Sequence, residues 1–196
     1  MEKVEAFLNR IRKRLELFQD INMTWGESDE YLMRSAVLLP FTYHKNELKL
    51  IFTKRSATLV RHQGQVSFPG GMIESDDENP IDTALRETCE EINLNASQIE
   101  ILGSLPPFDS QTGYYIYPVI GFIHNLEGLQ GNGDEVDKVF CIPYSWLADP
   151  ENSQLTDYKT KQGIFRKVWF FKEYEGELLW GITAKITKDF VALNKN

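Results

Sequence analysis

The segment "GGMIESDDENPIDTALRETCEEINL", residues 70–94, places a glycine pair and a run of acids directly ahead of a helix. Asn79 can cap that helix, Pro80 suits its first position, and Asp82 falls in its first turn. At roughly 3.6 residues per turn, one side carries a mostly apolar stripe that consists of Ile81, Ala84, Leu85, Thr88 and Ile92. The segment therefore predicts an amphipathic helix that packs on a sheet.

The same helix carries three glutamates, Glu87, Glu90 and Glu91, at positions i, i+3 and i+4. This spacing predicts a shared face away from the apolar stripe, and each like-charge pair costs roughly a few tenths of a kcal/mol. Arg86 is the only cation in the helix. A hard divalent cation would relieve such a face through oxygen ligands. Magnesium or manganese there suggests phosphate chemistry, because the metal neutralises phosphoryl oxygens and activates water. A solvated acidic face is the alternative.

The rest of the chain predicts a mixed sheet with helices on its faces. Strand-like runs rich in β-branched and aromatic residues occupy 35–43, 48–54, 99–105, 114–123 and 137–144. Residues 165–182 are typical of a hairpin with "EYEGE" as its turn. Apolar residues at helical spacing predict an amphipathic helix over residues 2–19, and a final helix is expected over 183–193.

Bulk properties exclude several classes of protein. The net charge of −8 argues against general nucleic-acid binding. No apolar run approaches the roughly 18 residues of a membrane span, and the N-terminus lacks the apolar region of a signal peptide. Cys89 and Cys141 form neither a metal-binding spacing nor a disulfide framework, and Cys89 is expected to be a partly buried neutral thiol. We expect a cytoplasmic protein with no membrane and no nucleic-acid partner.

The helix and the loop before it resemble the Nudix box, G-x5-E-x7-R-E-U-x-E-E-x-G-U with U aliphatic. The matching residues are Glu78, Arg86, Glu87, Glu90, Glu91 and Leu94. The departures are Thr88, Asn93 and Gly71, which lies one residue further upstream than the general pattern places it. The resemblance implies an α/β (α+β) fold, a Nudix-type α/β/α sandwich with a mixed central sheet. It also implies a hydrolase of diphosphate bonds that uses Mg²⁺ or Mn²⁺.

Roles follow from the same resemblance. Glu87 and Glu91 would hold the principal divalent ion, assisted by Glu90 and the Gly71 carbonyl. Arg86 would pair with a box glutamate and fix its rotamer. Glu90, Glu91 and Arg86 are thereby assigned to catalysis.

Residues 52–71, "FTKRSATLVRHQGQVSFPGG", resemble the signature of the coenzyme A diphosphatase branch of this family. That branch has an R-S pair, a histidine and G-Q ahead of F-P-G-G, and it tolerates the extra residue in the loop. The implied substrate is coenzyme A or a derivative, cleaved to 3′,5′-ADP and 4′-phosphopantetheine. The residues expected to bind substrate are Lys54, Arg55, Arg61, His62 and Gln65. The first four are interpreted as a compact basic cluster for the 3′-phosphate, with surface solubility as the alternative.

Candidates for the general base lie outside the helix. Residues 131–140, "GNGDEVDKVF", offer Asp134 and Glu135 on a glycine-rich loop that we expect to be mobile. The loop resembles the D-E-V segment of the coenzyme A branch, which favours Glu135. A solvated loop acid is the alternative, and Asp109 is a weaker candidate.

The resemblance covers residues 35–193, and the predicted organisation is a helical extension over 1–30 followed by a Nudix domain over 31–196. Two rival functions stay open: hydrolysis of another nucleoside diphosphate, such as ADP-ribose or a dinucleotide, and nucleotide sensing without cleavage. The choice among free, acylated and oxidised coenzyme A or a capped RNA end stays open too, as does homodimerisation.

Overall fold

The structure is a computed structural model that describes residues 2–16, 33–59, 62–110, 113–160 and 163–194. Its helices are α1 (Glu2–Leu15), α2 (Pro80–Ile92), α3 (Tyr144–Ala148) and α4 (Gly181–Leu193). Its strands are β1 (Met33–His44), β2 (Glu47–Arg55), β3 (Val66–Ser67), β4 (Gly70–Met72), β5 (Ile99–Ser104), β6 (Phe108–Asp109), β7 (Tyr114–Ile123), β8 (Val136–Pro143), β9 (Ser153–Lys159) and β10 (Phe165–Phe171).

A mixed sheet forms the centre of the molecule, in the order β3-β2-β1-β7-β5. Strands β1 and β7 run parallel, whereas β1 pairs antiparallel with β2 at one end and with β4 at the other. Strand β8 pairs with β2, and β6 pairs with β7. The predicted mixed α+β class is confirmed.

Two apolar clusters cover the two faces of this sheet, because successive side chains of a strand point to opposite sides. Ile51 of β2 belongs to the cluster under α2, together with Ala84 and Ile92 of that helix. Phe52, the next residue of β2, belongs to the other cluster, which includes residues of α1, α3 and α4. The sheet therefore lies between two helical layers, with α2 alone on its side among the described helices.

Helix α2 spans residues 80–92, as predicted, and β7 coincides with the predicted strand at 114–123. The predicted hairpin over 165–182 is present in part, because Phe170 forms an antiparallel bridge with Trp180, but the partner of β10 along its whole length is β9. The turn itself exists, since Tyr174 and Glu177 exchange two backbone hydrogen bonds of 3.0 Å. Strand β9 was not predicted from the sequence. Nearly all of its residues are exposed, so its sequence does not alternate between apolar and polar residues.

Helix α1 buries its apolar stripe, represented by Leu8, Ile11 and Leu15, in the larger cluster. Arg12 pairs with Glu100 of β5, so part of the basic face of α1 is used inside the molecule. The predicted domain boundary at residues 30 and 31 lies outside the described residues, as do 17–19 of the predicted first helix. No helix in the described part of the chain is both long enough and apolar enough to cross a membrane.

Candidate active site

The glycine pair ahead of α2 has no room for a side chain, for two different reasons. A Cβ on Gly70 would lie 2.3 Å from the Ala36 carbonyl oxygen and 2.5 Å from Val37 Cα, both backbone atoms of β1. Gly70 also has φ +150°, which other residues rarely adopt. A Cβ on Gly71 would lie 2.3 Å from Oε1 of Glu87. Glycine is therefore required at position 70 by close packing against β1, and at position 71 by the position of the Glu87 carboxylate.

Helix α2 is oriented by its first turn. The Asn79 side chain accepts hydrogen bonds from the backbone N–H groups of Ile81 (2.8 Å) and Asp82 (3.2 Å). This cap satisfies two of the otherwise unpaired donors at the helix start. With the start of α2 fixed, Glu87 and Glu91, one turn apart, both reach the Gly70–Gly71 pair of β4.

Glu91 is 3 % exposed, so the alternative of a solvated acidic face does not hold for this residue. Its carboxylate accepts a hydrogen bond of 3.2 Å from the Gly70 N–H. Burial raises the pKa of Glu91 to about 8, although the Gly70 N–H and Arg55 act in the opposite direction. The helix projection missed this burial because the cover comes from another segment of the chain.

The other two glutamates differ from Glu91 and from each other. Glu87 is half-buried, and burial raises its pKa against the opposing effect of Arg86. Glu90 is exposed, with Oε2 3.8 Å from Arg86 Nη1. The three acids are thus graded from buried to exposed.

Arg55 lies between the acidic loop at 131–135 and helix α2. Its Nη1 lies 3.6 Å from Oε1 of Glu91, and its Nη2 lies 3.9 Å from Oε2 of Glu135. The Glu135 carbonyl accepts from the Ser56 N–H (2.8 Å), and the Asn132 N–H donates to the Glu91 carbonyl (3.0 Å). The loop that we expected to be mobile is therefore hydrogen-bonded to both β2 and α2. Glu135 is also near enough to raise the pKa values of Glu87 and Glu91.

Arg86 is the centre of a polar network that ties the acidic loop to the helix. It donates to Glu87 (2.9 Å), to the Met72 carbonyl (3.0 Å) and, through Nε and Nη2, to Asp77 (3.2 and 2.9 Å). Asp77 also accepts from Thr83 Oγ1 (2.7 Å) and from the Glu74 N–H (2.9 Å). The Arg86 guanidinium lowers the pKa of Asp77 to about 2. Sequence reasoning assigned Asp77 no role, because nothing in a run of four acids shows which one turns inward.

We expect Asp77→Asn to lower the free energy of unfolding by about 1–3 kcal/mol, the usual loss for a charged hydrogen-bonded partner. Because the folded-state pKa of Asp77 lies below its ordinary value of 3.8, its stabilisation is present above that value and is lost as the pH falls toward 2. The deficit of the variant should therefore be largest at neutral pH and shrink in acid. Urea unfolding at pH 7 and pH 3 measures both, and equal stability of variant and wild type at pH 7 would contradict the network.

A matched control is Asp76→Asn, because Asp76 is the exposed neighbour in the same loop and contacts only Ser75 among the side chains described. It should leave the urea midpoint unchanged. The Asp77 variant should also lower activity, since Arg86 would lose the partner that aims it at Glu87.

The predicted basic cluster does not form as a unit. Lys54 and Arg55 are neighbours on a strand, so they point to opposite faces: Lys54 Nζ lies 2.9 Å from Oε2 of Glu177, whereas Arg55 faces Glu91. His62 Nδ1 and Gln65 Oε1 are 2.9 Å apart in the turn that follows β2. Arg61 lies outside the described residues. Of the proposed substrate-binding residues, Arg55 alone is seen beside the helix glutamates in the described part of the chain.

Two further candidates named from the sequence, Asp109 and Cys89, do not belong with the helix carboxylates. Asp109 is in β6, opposite Tyr115 of β7, on the side of β1 away from β2 and β8. Cys89 is half-buried, as expected, and burial raises the pKa of its thiol, which favours the neutral form.

The donor set beside the glycine pair of β4 fits a hard divalent cation. Glu87, Glu91 and the Gly71 backbone offer only oxygen atoms, which magnesium and manganese prefer. The Glu87 carboxylate occupies the space that a Cβ of Gly71 would fill, so the absence of a side chain at Gly71 lets this carboxylate lie against the backbone. Among the described residues, no three acidic, histidine or cysteine side chains already stand in a metal-binding group. A bound ion would thus be held by two carboxylates and a backbone carbonyl.

Comparison with known proteins gives a consistent result. Residues 32–187 match the family model described as NUDIX domain. The chain is similar to the "Uncharacterized Nudix hydrolase NudL" of Photorhabdus laumondii, with 39% identity over 152 residues, 78% of this chain and 80% of that protein. Among solved structures it resembles the Nudix hydrolase RenU of M. smegmatis, with a TM-score of 0.51 and 18% identity over 66% of this chain and 83% of that one. It also resembles a MutT/nudix family protein from Enterococcus faecalis, with a TM-score of 0.50 and 16% identity over 86% of this chain and 62% of that one.

Proposed function

Because the chain belongs to the Nudix family, we propose that it is a divalent-metal-dependent hydrolase of coenzyme A or a coenzyme A derivative. Family membership supports the general activity, that of a hydrolase acting on diphosphate bonds. Hydrolases of this family generally use Mg²⁺ or Mn²⁺. The name of the relative from Photorhabdus laumondii gives no substrate, so the coenzyme A assignment rests on residues of this chain.

One observation carries the assignment. The segment at 52–71 resembles the coenzyme A branch, and both of its ends lie at the helix carboxylates. At one end Arg55 is 3.6 Å from Glu91. At the other end Gly71 leaves space only for the Glu87 carboxylate. This proximity supports the proposal that the segment that suggests the substrate and the helix that suggests the reaction form one site.

Glu87 and Glu91 would hold the ion, with the Gly71 carbonyl and Glu90 assisting. When bound, the ion neutralises charge on the phosphoryl oxygens and makes water more acidic. The remaining steps belong to side chains of this chain. Arg86 donates to Glu87 at 2.9 Å and holds its carboxylate toward Gly71 of β4. Arg55, between Glu91 and Glu135, offers a guanidinium that can pair with a diphosphate oxygen.

In the proposed reaction, a water oxygen attacks one phosphorus of the diphosphate. Glu135 accepts the water proton, the bond from that phosphorus to the bridging oxygen breaks, and the second phosphate leaves with the bridging oxygen. The products from coenzyme A are 3′,5′-ADP and 4′-phosphopantetheine. Glu135 suits the role of base because its carboxylate is exposed and lies on a loop hydrogen-bonded to β2 and α2.

The test is a panel of diphosphates with purified protein and Mg²⁺ or Mn²⁺, resolved by chromatography. The panel contains free coenzyme A, an acyl-coenzyme A, oxidised coenzyme A, ADP-ribose and a dinucleoside polyphosphate. We expect the highest kcat/KM for a member of the coenzyme A group, and no hydrolysis in excess chelator. Faster cleavage of ADP-ribose or the dinucleotide would refute the substrate, and cleavage of none would favour a nucleotide-sensing role.

We expect Glu135→Gln to lower kcat by roughly 10²–10⁴-fold, the usual contribution of a general base, with little change in KM. Such a split marks a group that acts in the transition state. The fold should be unaffected, because the loop is held through the Glu135 backbone. Asp134→Asn, its exposed neighbour in the same loop, is the control and should change neither constant. An effect of Glu135→Gln on KM alone would move this residue from catalysis to substrate binding.

A further inference from the structure

Lys54 and Lys138 are directly opposite one another across β2 and β8. Like charges in that position destabilise an antiparallel pair. The two lysines lie on the face of the sheet opposite α2, because Phe52 and Phe140, two residues along each strand, both belong to the cluster on that face. Since nothing in strand pairing favours two facing ammonium groups, something else must hold them together.

Glu177 is the group that does so. It is 7 % exposed, and its two carboxylate oxygens are shared between the lysines: Oε1 accepts from Lys138 at 3.0 Å, and Oε2 lies 2.9 Å from Lys54 Nζ. Burial by itself raises the pKa of Glu177, but the two lysines outweigh burial and leave its pKa below the ordinary value. The carboxylate is therefore ionised, and the three groups together carry one net positive charge.

That positive charge faces outward. The lysine side chains are 35 % and 43 % exposed, whereas Glu177 lies behind them. Each ammonium has three N–H donors, and the contact with Glu177 needs only one from each. A single lysine would neutralise Glu177, so the second leaves a local cation in a chain of net charge −8. Such an arrangement suits an anion with several acceptor oxygens.

The lysine pair is close to the candidate active site along both strands. Lys54 precedes Arg55, and Arg55 pairs with Val136, the residue after Glu135. Lys54 and Arg55 therefore lie at the same end of β2, although their side chains are on opposite faces of the sheet. A substrate that contacts both groups would pass around the ends of β2 and β8.

We propose that Lys54 and Lys138, held together by Glu177, form a second anion subsite that binds a phosphomonoester of the substrate. If coenzyme A is the substrate, this group is its 3′-phosphate, and that identification rests on the proposed function. The subsite replaces the basic cluster expected from the sequence: Lys54 stays in it, Lys138 joins it, and Arg55 belongs with the helix carboxylates.

The first test compares Lys54→Gln and Lys138→Gln with Lys49→Gln. Lys49 is on the same strand as Lys54 and also pairs with a glutamate, Glu47, at 3.3 Å, but at the other end of β2. With coenzyme A, we expect each subsite variant to lose about ten- to a hundredfold in kcat/KM, as for one charge-assisted hydrogen bond to phosphate. With the analogue that lacks the 3′-phosphate, all three variants should match wild type. Equal losses on both compounds, or no loss on either, would overturn the subsite.

A second test needs no turnover. In excess chelator, calorimetry should show that wild type binds 3′,5′-ADP about tenfold or more tightly than 5′-AMP. Lys138→Gln should abolish that preference, and raising the salt concentration should narrow it in wild type. If wild type hydrolyses neither coenzyme A nor its analogue, the proposed function fails, and this comparison alone decides the subsite. Equal affinity of wild type for the two nucleotides would then overturn it.

Discussion

Glu91→Gln is expected to lower turnover by roughly 10²–10⁴-fold while the protein stays folded. A lost metal ligand removes several kcal/mol of charge stabilisation from the transition state. The amide oxygen of glutamine can still accept the 3.2 Å hydrogen bond from the Gly70 N–H. Steady-state kinetics in saturating Mg²⁺ measure the loss, and near-normal turnover would remove Glu91 from the metal site.

In excess chelator, the direction in which Glu91→Gln changes the stability of the protein can be predicted. Burial raises the pKa of Glu91 from 4.5 to about 8 in the folded state. A raised pKa means that the stabilisation is fully present below the unfolded-state value and is lost as the pH rises through the folded-state value. Metal-free wild type should therefore lose stability between about pH 4.5 and pH 8, whereas glutamine does not titrate. At pH 8.5 we expect the variant to have the higher Tm.

Glu90→Gln is the matched control for both measurements. Glu90 lies one residue away on the same helix but is exposed, and its contact with Arg86 is 3.8 Å. Its replacement should reduce turnover much less than that of Glu91 and leave the pH dependence of stability unchanged. If the two variants behave alike, burial is not what distinguishes the two carboxylates.

Gly71→Ala should have the second-largest effect, a loss of turnover of about a hundredfold or more in a folded protein. The new methyl group would occupy the position 2.3 Å from Glu87 Oε1. That oxygen is the end of a flexible side chain, so it can rotate away at little cost in stability. It then leaves the place where it would hold the ion, and the several kcal/mol supplied by the metal are lost.

Gly70→Ala supplies the contrast one residue earlier. Here the methyl group meets backbone atoms of β1 at 2.3 and 2.5 Å, and φ is +150°. Backbone in a sheet cannot rotate away, so overpacking and strain act together and should cost about 2–5 kcal/mol or prevent folding. Circular dichroism melts separate the variants, and calorimetric titration with Mn²⁺ should show weakened binding in folded Gly71→Ala. Unfolding of both variants alike, or retained Mn²⁺ affinity in Gly71→Ala, would contradict the division of roles.

The sequence alone predicted the structure correctly wherever that structure depends on interactions between residues close together in the chain. The start of α2 follows from Asn79 and Pro80, whose effects reach only one turn. The oxygen-rich chemistry of the helix was also evident from the short spacing of its glutamates. Short motifs of this kind carried the family resemblance, which implied the fold class and the reaction type.

Tertiary structure decided what each charged side chain faces. Glu91 and Asp77 look like their exposed neighbours in the sequence, and both are buried because Gly70 and Arg86 approach them. Lys54 and Arg55 look like one basic cluster, and the alternation of β2 sends them to opposite faces. A charge pattern along the chain records which groups are present. It does not record which strand, loop or helix will cover them, and burial and pairing with distant residues set their chemistry.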